Sequence, residues 1–299
     1  MSASKVVIVR GRNLLTSGGG DVPQAKVSLL LKRGLQLLTG EGKSGTGINT
    51  IIKRDDRVGI KINTIGGKKL STRPEVSLAL ANILTEAGVQ TKNMVFWDRT
   101  NRELRDAGYT LNMNREGLKV YGTDTEGAGY GTELVSHLNV GSLFSSIQAN
   151  FVTASISLAM LKDHGMAGVT AGMKNYFGAI HNPNKYHDNN CNPAVAEVFD
   201  VGLIKEKHRL TILDCLLVQY HRGPSFHSQW AEPYGGFVFS LDPVAADVVG
   251  WQLIEKLRAG KGLPPLKEES REPLYLATAE KMGLGQANLN NIKIIKEEI

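Results

Sequence analysis

The chain has 299 residues, of which 41% are hydrophobic and 21% charged, a composition that excludes a disordered or fibrous protein. Its only cysteines, Cys191 and Cys215, exclude an all-cysteine zinc site or an intrinsic iron–sulfur cluster on one chain, whereas a single bridge between them stays open. No hydrophobic run approaches the roughly 18 residues that a membrane helix needs. The N-terminal hydrophobic stretch is also too short for a signal peptide.

The formal net charge of +6 is concentrated near the N-terminus, because residues 1–70 contain 13 Lys and Arg but only 4 Asp and Glu. Such a basic region favours an anionic substrate or cofactor, and a solvated basic face is the alternative. Aromatic residues make up only 6% of the chain. No basic run is interleaved with aromatic side chains, so we predict no nucleic-acid partner.

Hydrophobic segments that read as strands alternate with helical segments along most of the chain. The pattern predicts strands over Lys5–Val9, Val58–Asn63, Asn93–Trp97, Phe151–Leu158, Leu210–Leu213 and Phe237–Ser240. This alternation predicts an α/β fold with a mostly parallel sheet flanked by helices, and ligands near the C-terminal ends of the strands. We expect a single domain over residues 1–299, with a Gly-rich excursion at 117–146 that forms a small subdomain within 110–148.

Two helices have clear start signals. In the first, Ser71 or Thr72 is the expected N-cap and Pro74 takes the first helical position, and the helix ends near Gly88. In the second, Asp242 is the expected N-cap before Pro243.

Two Gly-rich segments do not match phosphate-binding motifs. Gly42-Lys43-Ser44 resembles the end of a Walker loop, but Leu37 stands where that motif needs glycine. The segment from Gly127 to Gly131 lacks the spacing of a dinucleotide fingerprint. We interpret both as turns.

The segment Leu158–Cys191 carries most of the candidate chemistry, and six of the seven histidines fall within residues 164–227. Lys162, Asp163 and His164 follow a hydrophobic strand, and Lys174 and Asn175 follow a Gly-rich stretch that permits close approach of a ligand. Histidine suits proton transfer or metal binding at neutral pH. Lysine binds anions or acts as a nucleophile when it is desolvated.

Other polar residues follow the predicted strands. Lys61 and Asn63 share one face of their strand, while Asp98 and Arg99 follow the next strand. Each pair either lines a pocket or remains on an exposed or capping surface. Asp214 closes another strand, and Asp247 lies in a hydrophobic helical stretch where a carboxylate needs a partner. A mixed metal site that uses Cys191 and His187 is a further alternative.

The segments VGIKIN, LSTRPEV, FWDRTNRELRDAGY, LKDHGMAGVTAGMKNYFGAIHNPNKYH and SLDPVAADVVG resemble a family catalogued as domain of unknown function 362. The resemblance covers nearly the whole chain. Many members of that family carry an insertion with two CxxCxxC runs, which this chain lacks, and compact members often have a twin-arginine export signal. The resemblance therefore implies either a cytoplasmic protein or the mature, extracytoplasmic part of an exported one.

The stretch DHGMAGVTAGMK also resembles the PHxxAGxSGGxK segment of nickel-dependent lactate racemases, and the STRP sequence that ends at Pro74 resembles their TRP motif. This resemblance implies that His164 is an acid/base and that Lys174 anchors a cofactor or ligand. By the same resemblance His187 is a metal-binding histidine, and we add His181 as a further candidate ligand. The GTH motif of that family is replaced here by Trp97-Asp98-Arg99, so the partner acid/base differs.

From these observations we expect metal- or cofactor-assisted chemistry on a small anionic molecule, with nickel, iron or zinc as the candidate metals. His164, Lys174 and Asp163 are the candidate catalytic residues. The expected lining is formed by Lys61, Asn63, Arg73, Asp98, Arg99, Lys162 and Asn175. The alternatives are a non-catalytic protein that binds a metal, a metallocofactor or an anion, and an accessory partner in electron transfer.

Overall fold

The computed structural model describes residues 3–12, 14–15, 22–40, 47–114 and 116–299. The turn predicted at Gly42-Lys43-Ser44 lies outside these residues.

Most strands join a single large sheet. The strands are β1 (Ser4–Arg10), β2 (Val58–Lys61), β3 (Met94–Trp97), β4 (Lys119–Val120), β5 (Val135–His137), β6 (Val140–Ser142), β7 (Ala154–His164), β8 (Gly168–Thr170), β9 (His208–Gln219), β10 (Ala231–Glu232), β11 (Gly236–Ser240) and β12 (Ile292–Glu298). The order in the sheet is β12-β1-β11-β9-β7-β2-β3-β4, with β8 paired to β7 and β10 to β9. Strands β5 and β6 form a separate two-stranded sheet within the Gly-rich segment.

Along this order β11 alone runs antiparallel to its neighbours, β1 and β9. Strands β9, β7, β2, β3 and β4 pair in parallel. The prediction of a mostly parallel α/β sheet is therefore confirmed. The C-terminal ends of these parallel strands lie along one edge, where side chains from different strands meet.

Helices cover both faces of the sheet. They are α1 (Gln24–Thr39), α2 (Pro74–Glu86), α3 (Asn101–Asp106), α4 (Asp188–Cys191), α5 (Ala194–Asp200), α6 (Gly202–Lys205), α7 (Pro243–Ala259) and α8 (Tyr275–Lys281). One hydrophobic core joins α1 and α2 to the sheet, and another joins α5, α7 and α8. Strand β1 contributes Val7 and Val9 to the first core and Val6 and Ile8 to the second, as alternation along a strand requires.

The starts of two helices test the capping predictions. Asp242 caps α7 through a 2.9 Å hydrogen bond from the Ala245 amide, as predicted. Helix α2 begins at Pro74 as predicted, but the predicted cap at Ser71 or Thr72 was wrong, because the N-cap residue is Arg73. The Thr72 hydroxyl instead donates to the Leu158 carbonyl oxygen at 3.1 Å, so this threonine ties the start of α2 to β7.

Helix α1 was not predicted. It follows Pro23, and no side chain caps it, so the sequence offers no start signal there. Both cysteines, Cys191 and Cys215, are buried and unbridged, so the disulfide alternative does not hold. Within the described residues no helix is long and apolar enough to cross a bilayer.

Candidate functional site

A small open cavity of about 110 Å³ lies at the C-terminal edge of β2, β3 and β7. Polar side chains come to it from these strand ends and from the short 3₁₀ helix Lys174–Ala179. Of the predicted site residues, those that line it are Lys61, Asn63, Asp98, Arg99, His164, Lys174, Asn175 and His187.

A buried ion pair forms the floor of this site. The Lys61 ammonium lies 2.7 Å from Asp98 Oδ1 and 3.2 Å from Asn175 Oδ1. Asn175 also donates through Nδ2 to the Lys61 carbonyl oxygen at 2.8 Å. These contacts join the ends of β2 and β3 to the helical turn after β8.

Four hydrogen bonds saturate the Asp98 carboxylate. Oδ1 accepts from Lys61 and from the Arg99 amide, and Oδ2 accepts from the amide and the hydroxyl of Thr64, both at 2.8 Å. Burial opposes ionisation of Asp98, but Lys61 and Thr64 outweigh it and lower the pKa of this carboxyl. Asp98 is therefore an ionised structural anchor that neutralises Lys61.

Backbone hydrogen bonds fix the tautomer of His164. Its Nδ1 accepts from the amides of Met166 at 3.2 Å and Ala167 at 3.1 Å, so in the neutral ring the proton is on Nε2. Burial, and then the positive charge of Lys174, lowers the pKa of His164 to about 2. At neutral pH this ring is uncharged and offers an N–H donor.

His187 has the opposite tautomer. Its Nδ1 lies 2.9 Å from the Pro183 carbonyl oxygen, an acceptor, so Nδ1 carries the proton and Nε2 keeps its lone pair. The Lys174 ammonium lies 3.1 Å from this Nε2 and 3.9 Å from the centre of the Phe177 ring. The rings of His164 and His187 stack with their centroids 5.6 Å apart.

Burial lowers the pKa of Lys174 to about 8. The pKa of His187 is lowered as well, first by burial and then by the Lys174 charge. Near neutral pH the pair therefore consists of a lysine that is mostly protonated and an imidazole nitrogen that can accept a proton.

Helix α7 holds the backbone that leads to Lys174. The Asp247 carboxylate accepts hydrogen bonds from the amides of Gly172 at 2.7 Å and Met173 at 3.0 Å, directly before Lys174. A side chain at Gly172 would meet Thr211 at 2.4 Å, so the close approach requires glycine there. Asp247 thus has the partners that its hydrophobic surroundings demand.

Among the described residues, two buried side-chain atoms of the lining have no hydrogen-bond partner, namely Asn63 Oδ1 and Arg99 Nε. One is an acceptor and the other a donor, and both belong to residues that line the cavity. Buried polar groups without partners are rare in folded proteins and point to a bound molecule or water.

Several lining residues escaped the sequence analysis. They are Ile65, Glu103, Thr170, Phe177, Gly178, Pro183, Asn184 and Pro224. The sequence could have indicated Glu103, because Thr100 and Glu103 have the spacing that is typical of a helix start. In the structure the Thr100 hydroxyl accepts a hydrogen bond from the Glu103 amide and caps the helix that follows β3. Burial, and then the charge of Asp98, raises the pKa of the Glu103 carboxyl.

Four predicted site residues do not line the cavity. Asp163 pairs with Arg271 at 2.7 Å, and Lys162 is buried, with its ammonium 3.4 Å from the Leu70 carbonyl oxygen. Burial lowers the pKa of Lys162 to about 7. Arg73 lies at the start of α2, and exposed His181 packs edge-on against Tyr130.

A match to a family model spans residues 58–252 and carries the description Domain of unknown function (DUF362). The chain belongs to the DUF362 family. No curated protein matches this DUF362 chain. A crystal structure of a protein from Thermotoga maritima, from the Northeast Structural Genomics Consortium, matches with 12% identity and a TM-score of 0.44. The match covers 82% of this chain and 60% of the Thermotoga chain, so the chain spans less than two thirds of the length of that protein.

The side chains around the cavity do not fit a metal site. Among the described residues, no three His, Cys, Asp or Glu side chains gather as ligands. His164 Nδ1 is occupied by two amides, and the Asp98 oxygens are saturated. His187 Nε2 is a single imidazole nitrogen that already lies 3.1 Å from the Lys174 ammonium, whereas zinc takes three or four protein ligands. The Cys191 thiol contacts the His187 carbonyl oxygen, not its ring.

Proposed function

We propose that this DUF362 protein is an enzyme that binds a small carboxylate-like anion in the cavity and transfers a proton to or from it. The observation that carries the proposal is the 3.1 Å contact between Lys174 Nζ and His187 Nε2, beside the His164 ring. It gives one cavity a proton donor and a proton acceptor.

The charge balance of the lining supports an anionic ligand. Asp98 neutralises Lys61, and both histidines are neutral near pH 7, so Lys174 and Arg99 supply the positive charge. Arg99 Nε has no partner within the structure and is available to a carboxylate oxygen. Glu103 also lines the cavity, and burial, followed by the charge of Asp98, raises the pKa of its carboxyl.

Each residue then has a distinct role. His164 donates a hydrogen bond from Nε2 to the anion, and Lys174 anchors it by charge. Proton transfer falls to Lys174 and His187, because the pKa of Lys174, about 8, is close to working pH. The resemblance to the lactate racemase segment supports a function of His164 and Lys174 in the same site. Among the described residues, the side chains around the cavity do not supply the set of ligands that a metal ion needs.

A non-catalytic anion-binding protein is the second candidate. It is favoured by the locked tautomer of His164, which makes that ring a hydrogen-bond donor and not a base.

The test measures proton transfer directly. Small carboxylates are incubated with the protein in D₂O, and deuterium uptake at the carbon next to the carboxylate is followed by NMR. We expect uptake with the native protein and a loss of at least about 100-fold in His187→Gln, the typical scale of general acid–base catalysis. Carboxylates that bind without any deuterium uptake would favour the binding protein instead.

A further inference from the structure

Three loops meet at the mouth of the cavity. They are residues 64–70 after β2, the turn 165–167 between β7 and β8, and residues 221–227 after β9. The Gly165 amide donates to the Gly223 carbonyl oxygen at 3.2 Å, which ties the second loop to the third. The Lys69 ammonium lies 5.5 Å from the centre of the Phe226 ring, which ties the first loop to the third.

Hydrophobic side chains stand on these loops although they are open to solvent. Ile65 lines the cavity and is 52% exposed. Met166 is 49% exposed and does not line the cavity itself, but it lies in the turn that Gly165 ties to Gly223, next to Pro224. Pro224 adds a further apolar surface to the lining. The charged and polar side chains of the site thus share the cavity with the apolar side chains of Ile65 and Pro224.

We infer that the anion taken by this site carries an aliphatic arm, which leaves the cavity over Ile65 and Met166. The ligand class is an aliphatic monocarboxylate with its carboxylate inside and its chain at the mouth. This inference rests on the proposed function, because it takes the carboxylate to lie beside Lys174 and His164.

The location of these side chains distinguishes them from other exposed hydrophobic residues. Single exposed hydrophobic residues are common on proteins and need no explanation. Leu241, which is 51% exposed, is one of them, since it follows β11 at the opposite edge of the sheet. Ile65 and Pro224 differ because two separate loops bring them into the lining of a cavity that holds charged groups. Met166 stands on the turn that is hydrogen-bonded to the loop of Pro224.

The experiment compares straight-chain carboxylates of increasing length. Acetate, butyrate and hexanoate are titrated into the full chain at pH 7, and the dissociation constants are measured by NMR. Burial of a methylene group contributes about 0.8 kcal/mol, which is about fourfold in affinity. Because the mouth covers only part of the arm, we expect butyrate to bind about tenfold more tightly than acetate.

Two variants locate the effect. Ile65→Ser and Met166→Ser should each reduce the preference for butyrate over acetate by about threefold or more. Leu241→Ser should leave every affinity unchanged. Equal affinity for all three carboxylates, or a length preference that both variants keep, would overturn the inference alone. If none of the three binds, the proposed function fails together with it.

Discussion

The side-chain nitrogen of Lys174 lies 3.1 Å from Nε2 of His187, although 13 residues separate them in the chain. The turn 174–179 and the loop that includes Pro183 bring them together. Since the Nδ1–H group donates a hydrogen bond to the Pro183 carbonyl oxygen, Nε2 can only accept a hydrogen bond from Lys174. The acid and base of the proposed reaction therefore depend on one backbone carbonyl that fixes a tautomer.

The pKa of Lys174 predicts how anion binding varies with pH. Burial lowers this pKa to about 8, so the ammonium is present below that pH and is lost as pH rises through it. Carboxylate affinity should be nearly constant between pH 6 and 7 and fall at least about fivefold by pH 9. NMR titrations of acetate across this range test it. A Lys174→Arg variant that retains acetate binding should show no such fall. If the acetate affinity of the native protein does not change with pH, Lys174 is not the group that binds the carboxylate.

The Lys61–Asp98 pair should matter greatly for stability. Removal of one partner from a buried ion pair costs about 3–5 kcal/mol, because the other charge stays buried alone. Lys61→Met should therefore lower the free energy of unfolding by this amount, measured with urea at pH 7. The double variant Lys61→Met/Asp98→Asn should recover part of the loss. A loss below about 1 kcal/mol in Lys61→Met would contradict the role of the pair.

The same pair predicts a loss of stability in acid. The folded pKa of Asp98 lies below its unfolded value of about 3.9. Its contribution is therefore complete above that value and disappears as pH falls through the lower folded pKa. Urea unfolding between pH 6 and pH 2.5 should show a smaller decrease in Asp98→Asn than in the native protein. Equal decreases would show that other carboxyl groups cause the acid sensitivity.

Gly178 should tolerate no side chain. A Cβ atom there would lie 2.8 Å from both Cε and Nζ of Lys61 and 3.0 Å from Asp98 Oδ1. Gly178→Ala should therefore displace the Lys61 ammonium and weaken acetate binding, with a loss of stability of about 1–3 kcal/mol, as for overpacked sites. Gly141→Ala is the matched control, because nothing lies within 4 Å of its Cβ position. Equal behaviour of the two variants would refute the close contact.

Asp247 should contribute both to the stability of the fold and to acetate binding. Asp247→Ala leaves the amides of Gly172 and Met173 without their acceptor, at a cost of about 1–3 kcal/mol for each unsatisfied group. Because these amides precede Lys174, acetate affinity should fall as well. Asp242→Ala, which removes the cap of α7, should lower stability without affecting binding. Unchanged acetate affinity in folded Asp247→Ala would show that the loop holds its place without Asp247.

The sequence predicted the parts of the site that follow strands. Lys61, Asp98 and His164 each stand at or just after the end of a parallel strand, so the fold class alone places them at one edge. Arg73 and Asp163 were misplaced for a different reason. Thr72 binds the Leu158 carbonyl oxygen and turns the start of α2 over β7, and Asp163 points to the opposite face, where Arg271 meets it from more than 100 residues away.

Other features depend on contacts that no local pattern records. The histidines concentrated in residues 164–227 do not form one site, since His208 Nδ1 lies 3.0 Å from the Tyr176 hydroxyl and His221 contacts Arg258. Only tertiary packing separates these from His164 and His187. The tautomers likewise follow from backbone amides and carbonyls whose positions the sequence does not reveal.

The most direct test of the account is the affinity of acetate for the native protein and for Lys174→Met at pH 7. The matched control is Lys207→Met, because Lys207 precedes β9 at the opposite edge of the sheet and bonds to the Gln148 carbonyl oxygen. We predict that acetate binds the native protein and Lys207→Met equally, and that Lys174→Met weakens binding at least tenfold while remaining folded. Equal affinity in all three proteins would contradict the claim that Lys174 anchors an anion in this cavity.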